Sequence, residues 1–380
     1  MGNLAKTLGH RIRTSRERLG LSQEELANRA GFSVHQMISQ IEKGKREVKA
    51  WELANLAKVL MTDVSTLLSN QEPEPRPVVL WREAPKEDAE TKEADFLQRC
   101  QRYAYLEKLC NVDPRRRLPQ REVDPNKFGY IDAHELAEDA LRQLGLGARP
   151  AASLVDTLEN SCGVKVLYAD LGEEGSAAST IGSFGPAILM NSVEAPWRRN
   201  FNFAHEVFHL LTWKSIPPER MIKDPAFRDR IESLANAFAS SLLLPGDAVS
   251  IAIDRHLRDG KIYLAGLVEI ARQFDVSTAA LLYRLLNLGY FDREAVERLL
   301  NDPAFRQLDR STMAASWWEP PPIPERFVRL AFSAYQEGNI SRTKLAEYLN
   351  VSLLDLTDTL LEYGLDDREN YKAEVLTSRR

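Results

Sequence analysis

Short amphipathic segments separated by glycine fill the first seventy residues of the chain. Within each segment apolar side chains recur every three or four positions, the spacing of a helix buried along one face. Ser22, followed three residues later by Glu25, has the pattern of a capping box at a helix start. Short helices joined by such turns are what a helix-turn-helix requires. The pattern predicts five helices: Leu8 to Leu19, Gln23 to Ala30, Ser33 to Glu42, Ala50 to Leu60, and Val64 to Leu68.

A less regular stretch follows. Residues 71–77, QEPEPRP, are rich in proline and charge and predict a linker. Residues 86–109 are charged but compatible with a helix, which leaves open whether they connect domains, support a dimer or fold back on the body. Several prolines and basic residues in 113–129 predict a loop.

From residue 131 the pattern is that of a mixed domain. Residues 131–144 predict an amphipathic helix. Val164 to Tyr168 and Ala187 to Asn191 predict strands on either side of a glycine-rich turn region. An exposed edge strand of such a small sheet can hold an extended peptide by main-chain hydrogen bonds.

The remaining chain is predicted to be helical. Residues 201–213 and 231–244 predict two helices, the second ended by Pro245. Residues 264–288 and 325–363 each show a further helix-turn-helix-like pattern. Neither has a strong basic excess, so packing or partner binding is predicted for both rather than base reading. The proline-rich segment 319–324 separates them.

The first of these helices, FNFAHEVFHLLTW, contains an HExxH sequence at His205, Glu206 and His209. On a helix, positions i and i+4 lie about one turn apart on one face, so both imidazoles can point at one metal ion. Glu206 follows the first histidine directly, where it can reach a water on the metal rather than the metal itself. The alternative is a helix with two unrelated histidines, which the specificity of the motif disfavours.

A catalytic zinc site needs a third protein ligand and one open position. The best candidate is Glu232, at the start of the second helix, with Asn236 one turn later on the same side. A carboxylate from a helix that crosses the first would complete the site, although an ordinary solvated glutamate is the alternative. Tyr263, Tyr283 and Arg284 are candidates for stabilising an oxyanion, and a structural role stays open for each.

The run from Arg198 to Trp213, with the pattern E-x-x-A-N-x-F-A from Glu232 and Leu-Leu-Pro after it, resembles the ImmA/IrrE family of metallopeptidases. The resemblance covers roughly residues 131–287. Phe208 stands where many members have a small residue, a packing difference that does not touch the chemistry. Members are often regulatory proteases with narrow substrates, so peptide hydrolysis is implied without a target.

The resemblance also implies roles for individual residues. It makes Zn²⁺ the cofactor and Glu206 the general base, which takes a proton from water and delivers it to the leaving amine. The implied metal ligands are His205, His209 and Glu232.

Residues Leu4 to Ser69 resemble the Xre or phage-repressor type of helix-turn-helix domain. Between Gly31 and Ile38 the chain is one residue longer than the commonest family spacing, so the register at the start of the third helix stays open. A helical bundle that makes only protein contacts is the alternative to DNA binding. Three segments carry the resemblance: LSQEELA at 21–27, ISQIEKG at 38–44 and LAKVL at 56–60.

In such a domain the third helix enters the major groove with its N-terminal polar residues facing base edges. Lysines that follow this helix would contact phosphates, although a solvated basic loop has the same composition. The candidate DNA contacts are Ser33, His35, Gln36 and Gln40 for bases, and Gln23, Lys43 and Lys45 for phosphates.

Charge is distributed unevenly along the chain. Residues 1–70 hold eleven Lys or Arg and seven Asp or Glu, a net of +4, whereas the remaining residues hold 39 and 48, a net of −9. A basic module on an acidic body indicates that one end of the chain meets a polyanion such as DNA.

Composition limits the class of protein. A chain of 380 residues is too long for one core, so two to four domains are predicted. Its 44% hydrophobic and 28% charged content is ordinary for a globular protein, and no apolar run reaches membrane-spanning length. The three cysteines, Cys100, Cys110 and Cys162, suggest neither a disulfide framework nor a metal site. With no signal-peptide pattern at the first residues, we expect a cytoplasmic protein that does not contact membranes.

The predicted fold class is α+β and mostly helical. It combines an N-terminal five-helix Xre-type domain, a central zincin-like peptidase domain with a small β-sheet, and a helical C-terminal region. The predicted boundaries are 1–70 for the DNA-binding domain, 71–130 for a linker and connecting helix, 131–255 for the peptidase domain and 256–380 for the C-terminal region.

The predicted function is a DNA-binding transcriptional regulator with a zinc-dependent endopeptidase. It would bind a double-stranded operator as a homodimer and cleave a partner regulator, encoded nearby, or itself. Two alternatives stay open. One is a non-proteolytic repressor or antitoxin-like protein whose peptidase fold is a sensor or dock. The other is a peptidase whose N-terminal module recruits a repressor by protein contacts.

Overall fold

The computed structural model describes residues 2–18, 21–60, 62, 64–69, 77–114, 117–313 and 317–367. The chain divides into two compact units, which we call the N-terminal unit (1–79 with 84–101) and the C-terminal unit (80–83 with 102–380). Of the predicted linker at 71–77, residues 71–76 lie outside the described residues.

The N-terminal unit is helical, as its apolar spacing predicts. Ser22 and Glu25 form the predicted capping box: the Ser22 Oγ accepts from the Glu25 backbone N–H at 3.1 Å, and the Ser22 N–H donates to the Glu25 carboxylate at 2.7 Å. The elements are α1 Gly2–Arg18, α2 Gln23–Ala30, α3 His35–Glu42, α4 Ala50–Val59, α5 Val64–Leu68 and α6 Ala89–Leu109, of which α6 continues into the C-terminal unit.

Helix α3 starts at His35, two residues later than the predicted Ser33. Ser33 lies in the turn after α2, and Val34 has extended backbone angles (φ −148°, ψ 143°) that place it before the first helical residue.

A close backbone approach and a largely buried ion pair join α1 to α3 in the N-terminal unit. At Gly9 in α1, a Cβ would lie 2.3 Å from the Ile41 carbonyl oxygen of α3, so only glycine fits. Arg16 of α1 pairs with the buried Glu42 of α3 at 2.6 Å. The main apolar residues in the core of this unit are Ile12, Leu26, Ile38, Ile41, Leu53, Leu56, Leu60 and Leu67.

A mixed sheet of four strands, among the described residues, lies in order β1-β3-β4-β2. Strand β4 pairs antiparallel with β3 and parallel with β2. The predicted strands correspond to β2 and β4, whereas β3 runs through what the sequence predicted as a turn region. The strands are β1 Val79–Trp81, β2 Lys165–Ala169, β3 Ala177–Gly182 and β4 Gly185–Asn191.

The remaining helices all belong to the C-terminal unit. A π-helical turn, Thr157–Ser161, follows α8 directly. The helices are α7 Tyr130–Leu144, α8 Pro150–Asp156, α9 Pro196–Thr212, α10 Pro218–Lys223, α11 Pro225–Leu243, α12 Gly246–His256, α13 Leu264–Gln273, α14 Thr278–Asn287, α15 Arg293–Asn301, α16 Pro303–Met313, α17 Glu325–Gln336, α18 Arg342–Leu349 and α19 Leu356–Glu362.

Helix α9 lies at the centre of the C-terminal core. It packs against β3 and β4 on one side and against α11 on another, and α11 in turn packs on α7. Phe203, Val207 and Phe208 of α9 are completely buried, as is Phe238 of α11. This packing decides which α11 residues face the HExxH motif.

No single helix among the described residues has both the length and the apolar character needed to cross a membrane. One consecutive pair bent by 56°, Pro225–Leu243 with Gly246–His256, meets that test only jointly, by length and composition.

Candidate metal centre and nucleic-acid interface

The HExxH residues lie on a helix that is buried along its whole C-terminal half. Every residue of α9 from Asn202 to Thr212 is buried, including His205, Glu206 and His209. Buried ionisable groups are costly unless they are paired or bind a metal. The motif is therefore placed where its polar atoms need partners from other elements.

Glu232, in the second turn of α11, brings a carboxylate to both histidines. Its Oε2 lies 2.9 Å from the His205 Nε2, its Oε1 lies 3.4 Å from the His209 Nε2, and the two Nε2 atoms are 3.1 Å apart. One ligand atom from each of the three residues falls within 4.8 Å of the others. Two imidazole nitrogens and one carboxylate at this separation form a donor set that suits a divalent cation.

Asn236, one helical turn after Glu232, contacts the other nitrogen of the same imidazole. Its Oδ1 is 3.0 Å from the His205 Nδ1, and the Arg82 Nη2 donates to the same oxygen at 3.2 Å. The His205 ring is thus held at both nitrogens by α11.

The protonation states reflect burial and mutual contact. Burial lowers the pKa of His205 to about 4, so this imidazole is neutral and able to ligate a metal. Burial also opposes charge on Glu232 and His209, but their mutual attraction outweighs it. The pKa of Glu232 is held well below its ordinary range by the two imidazoles, and the pKa of His209 is raised by Glu232 and Glu206.

Glu206 points to β3 rather than to the ligand set. Its Oε2 accepts a hydrogen bond from the buried Ser179 hydroxyl at 2.6 Å, while its Oε1 is buried without a hydrogen-bond partner among the described residues. Burial raises the pKa of Glu206 to about 7, an effect that the Ser179 bond and the nearby His209 only partly offset. A carboxylate with one held and one free oxygen near neutral pKa is suited to accept and return a proton.

A cavity of about 460 Å³ adjoins this centre. The residues that line it include Arg82 and Asn236 together with the aromatic residues Trp197, Phe201 and Tyr283. A concave site of mixed polarity and this size beside a donor set is where a substrate side chain would be expected.

The three candidates for oxyanion stabilisation occupy different environments. Arg284 is buried and donates to the Leu244 carbonyl at 2.9 Å and to the Ser241 hydroxyl at 3.0 Å, which is a structural arrangement. Tyr283 is half exposed on the cavity wall, and Tyr263 is exposed just before α13.

Six of the seven predicted DNA contacts are exposed in the N-terminal unit. His35 and Gln36 form the first turn of α3, and Ser33 lies in the turn before it. Gln40, Lys43 and Lys45 are exposed at the end of α3 and beyond. Gln23 differs, because it is half-buried and its amide donates to the Glu42 carboxylate at 2.8 Å.

We call His205, Glu206, His209 and Glu232 the metal-ligand cluster. Sequence reasoning did not identify two residues that the fold brings to this cluster. Ser179 lies in β3, a strand that alternation did not reveal because its first four residues, AAST, are all buried irrespective of polarity. Arg82 follows a three-residue strand and meets Asn236 across 154 positions. Of the contacts around Asn236, the sequence showed only that this residue lies one helical turn after Glu232.

Two family models match parts of this chain. One, described as a helix-turn-helix domain, matches residues 7–68, and the other, described as an IrrE N-terminal-like domain, matches residues 159–286.

Two curated relatives share the second region. The radiation response metalloprotease IrrE of Deinococcus deserti is 30% identical over 148 residues, covering 37% of this chain and 48% of that protein. Its namesake from Deinococcus radiodurans is 27% identical over 174 residues, covering 42% and 50%. The chain thus spans about half the length of the curated relatives it matches.

Among solved structures, Bacillus thuringiensis PlcR in complex with the peptide PapR7 and DNA aligns over 95% of this chain and 97% of that chain. The identity is 11% and the TM-score is 0.17, which supports no structural argument. The matched ranges contain the two candidate sites: this chain carries a helix-turn-helix domain within residues 7–68 and, within residues 159–286, a domain similar to that of the IrrE metalloproteases.

Proposed function

We propose that this protein is a DNA-binding regulator whose second domain is a zinc-dependent endopeptidase that cleaves a partner regulator or the protein itself. The observation that carries the proposal is the convergence of His205, His209 and Glu232 beside a buried glutamate with a free oxygen. A domain that served only as a dock would not need Glu206 next to the first ligand.

In this proposal His205, His209 and Glu232 hold the zinc ion. Zinc favours two imidazoles and a carboxylate with one open position, and when bound it supplies a Lewis acid together with a water of lowered pKa. The neutral state of His205 suits this role. The cavity beside Asn236 leaves room for a peptide to approach.

Glu206 is the proposed general base. Its Oε1 is free to take the proton of the attacking water, while Ser179 holds the other oxygen in place at 2.6 Å. The same carboxyl group then returns the proton to the leaving amine. A pKa near 7 serves both steps, since a base of this pKa both accepts and releases a proton at neutral pH.

The proposed DNA interface is the exposed start of α3 with the lysines that follow it. Ser33, His35, Gln36 and Gln40 would face bases, and Lys43 and Lys45 would contact phosphates. Gln23 would have to release Glu42 to reach a phosphate. We further propose homodimeric binding to an operator, and a domain division at 1–70, 71–130, 131–255 and 256–380.

The decisive experiment incubates the purified protein with the regulators encoded beside its gene and follows cleavage by mass spectrometry. Wild type should cleave one of them or itself. Glu206→Gln should keep about one zinc per chain and lose cleavage by about 10²–10⁴-fold, because zinc binding does not need the base. Cleavage that persists in Glu206→Gln would mean that another group is the base.

DNA binding is tested separately by gel shift on the protein's own promoter region. Binding should weaken steeply as salt rises and should disappear when residues 1–70 are deleted. Binding that survives this deletion would place DNA recognition outside the helix-turn-helix domain.

A further inference from the structure

Arg82 lies outside both family-matched ranges, yet it reaches the metal-ligand cluster through Asn236. Its Nη2 donates to the Asn236 Oδ1 at 3.2 Å, and this oxygen is also 3.0 Å from the His205 Nδ1. One carboxamide oxygen therefore contacts both side chains.

The contact restricts how the Asn236 carboxamide is oriented. A carboxamide can present either its oxygen or its NH₂ group to a neighbour, whereas a guanidinium carries only donors. Arg82 is therefore compatible with the oxygen and not with the NH₂ group. Once the oxygen faces His205, the Nδ1 of that ring must carry the proton. The Nε2 then keeps its lone pair for a metal ion.

Arg82 is itself held in position from two sides. Its backbone N–H donates to the Ala177 carbonyl of β3 at 2.9 Å. Its guanidinium carbon lies 5.5 Å from the ring centroid of Phe201, which is one turn before His205 on α9. The guanidinium is therefore fixed relative to the same helix that carries the histidines.

We propose that Arg82 is a positioning residue that locks the Asn236 carboxamide with its oxygen toward His205, and so sets the tautomer in which His205 binds the metal. The inference rests on the proposed metal site. It makes a residue far upstream of the matched range 159–286 part of the metal centre.

Zinc affinity, measured at one fixed pH by competition with a chromogenic chelator, tests the lock. Asn236→Leu should weaken zinc binding by about 10–100-fold, the usual range for a partner that orients a metal ligand. Arg82→Gln should weaken it by about 10-fold, because glutamine can present either group to a carboxamide that is then free to flip. Arg82→Lys, which keeps only donors, should stay near wild type.

A second substitution distinguishes a lock from a general structural role. Asn236→Asp presents oxygen in either orientation and needs no lock, so adding it to Arg82→Gln should restore zinc affinity. Arg198→Gln is the matched control, since Arg198 is an exposed arginine on the wall of the same cavity.

Wild-type zinc affinity in Arg82→Gln, or failure of Asn236→Asp to restore it, would overturn the proposal. The proposal would also be overturned if the wild-type protein bound no zinc, because His205 would then not be a metal ligand. A wild type that binds zinc but cleaves no protein would remove only the proposed peptidase function, since the affinity series needs no substrate.

Discussion

Two buried clusters of ionisable side chains in the C-terminal unit differ in how their charges are balanced. We call the first the brace cluster; it consists of Tyr103, Glu107, Glu159, Lys165 and Arg326. The Glu107 carboxylate receives Arg326 at 2.6 Å on one oxygen and Lys165 at 2.8 Å on the other. Every polar atom of these three side chains that is buried has a partner among the described residues.

The metal-ligand cluster of His205, Glu206, His209 and Glu232 is balanced differently. It has two carboxylates, and among the described residues neither forms an ion pair with a lysine or an arginine. Three potential ligand atoms lie within 4.8 Å of one another. Glu206 and Glu232 each keep a buried oxygen without a hydrogen-bond partner among the described residues.

The two clusters show which buried polar groups indicate a metal site. Burial of charge is common to both clusters and therefore does not discriminate between them. A complete set of opposite charges stabilises a fold, as in the brace cluster. Converging ligand atoms together with buried carboxylate oxygens that lack a hydrogen-bond partner among the described residues indicate a place for a cation, as in the metal-ligand cluster.

The largest expected effect comes from breaking the brace cluster. Glu107→Gln leaves Lys165 and Arg326, with side chains only 4% and 11% exposed, without their anion. Removing one partner of a buried pair costs about 3–5 kcal/mol of unfolding free energy. Urea denaturation should show this loss at unchanged zinc content. A loss below about 1 kcal/mol would mean that the cluster is not a brace.

Adding zinc should stabilise the protein through the other cluster. At a free zinc concentration about a thousand times the Kd, binding to the folded state adds about 4 kcal/mol. Thermal unfolding with and without zinc measures the gain, which should vanish in His205→Ala and in Glu232→Ala. If zinc stabilised either variant as much as wild type, the metal would bind at another site.

A pH dependence is expected from Glu159, the acid of the brace cluster that forms no ion pair with a described residue. Burial raises the pKa of Glu159 to about 7, and the charge of Arg326 and the contact to the Tyr103 hydroxyl at 3.4 Å only partly offset this. Because the pKa of Glu159 is higher in the folded state than in the unfolded state, its contribution to the free energy of unfolding is complete below about pH 4.5. That contribution is lost as the pH rises through 7.

At pH 8 the free energy of unfolding of Glu159→Gln should therefore exceed that of wild type by about 3 kcal/mol, and at pH 4 the two should differ little. Urea denaturation at the two pH values measures both. Glu294→Gln, at an exposed position, is the control and should change neither. If Glu159→Gln changed the free energy of unfolding equally at both pH values, the raised pKa of Glu159 would not be the cause.

The smallest expected effect concerns Ser179 and the proposed base. The hydroxyl of Ser179 stabilises the ionised form of Glu206, so Ser179→Ala should raise the pKa of that carboxyl further. A hydrogen bond of about 1 kcal/mol corresponds to about 0.7 pH units. Because the base acts when ionised, the acidic limb of the cleavage rate profile should move to higher pH by about that amount. A shift to lower pH would contradict the role of Ser179.

Part of the metal-ligand cluster could be predicted because it is local. His205 and His209 share a face of α9, and Glu232 and Asn236 share a face of α11, since helix geometry fixes which positions lie one turn apart. The same reasoning placed the capping box at Ser22 and Glu25. It missed the start of α3 by two residues, because turn lengths are set by backbone angles that hydrophobic spacing does not report.

Other parts depended on the packing of distant elements. The sequence contains the ligands but does not state that α11 crosses α9 where Glu232 meets both imidazoles. It gives no sign that β3 brings Ser179 to Glu206, or that Arg82 reaches Asn236. The amino-acid sequence alone determined the helices, the two recognisable motifs and the positive charge of the first seventy residues, because these depend on neighbours in the chain. Only the tertiary structure decided which oxygen faces which nitrogen, because those contacts join residues 27 to 154 positions apart through a shared core.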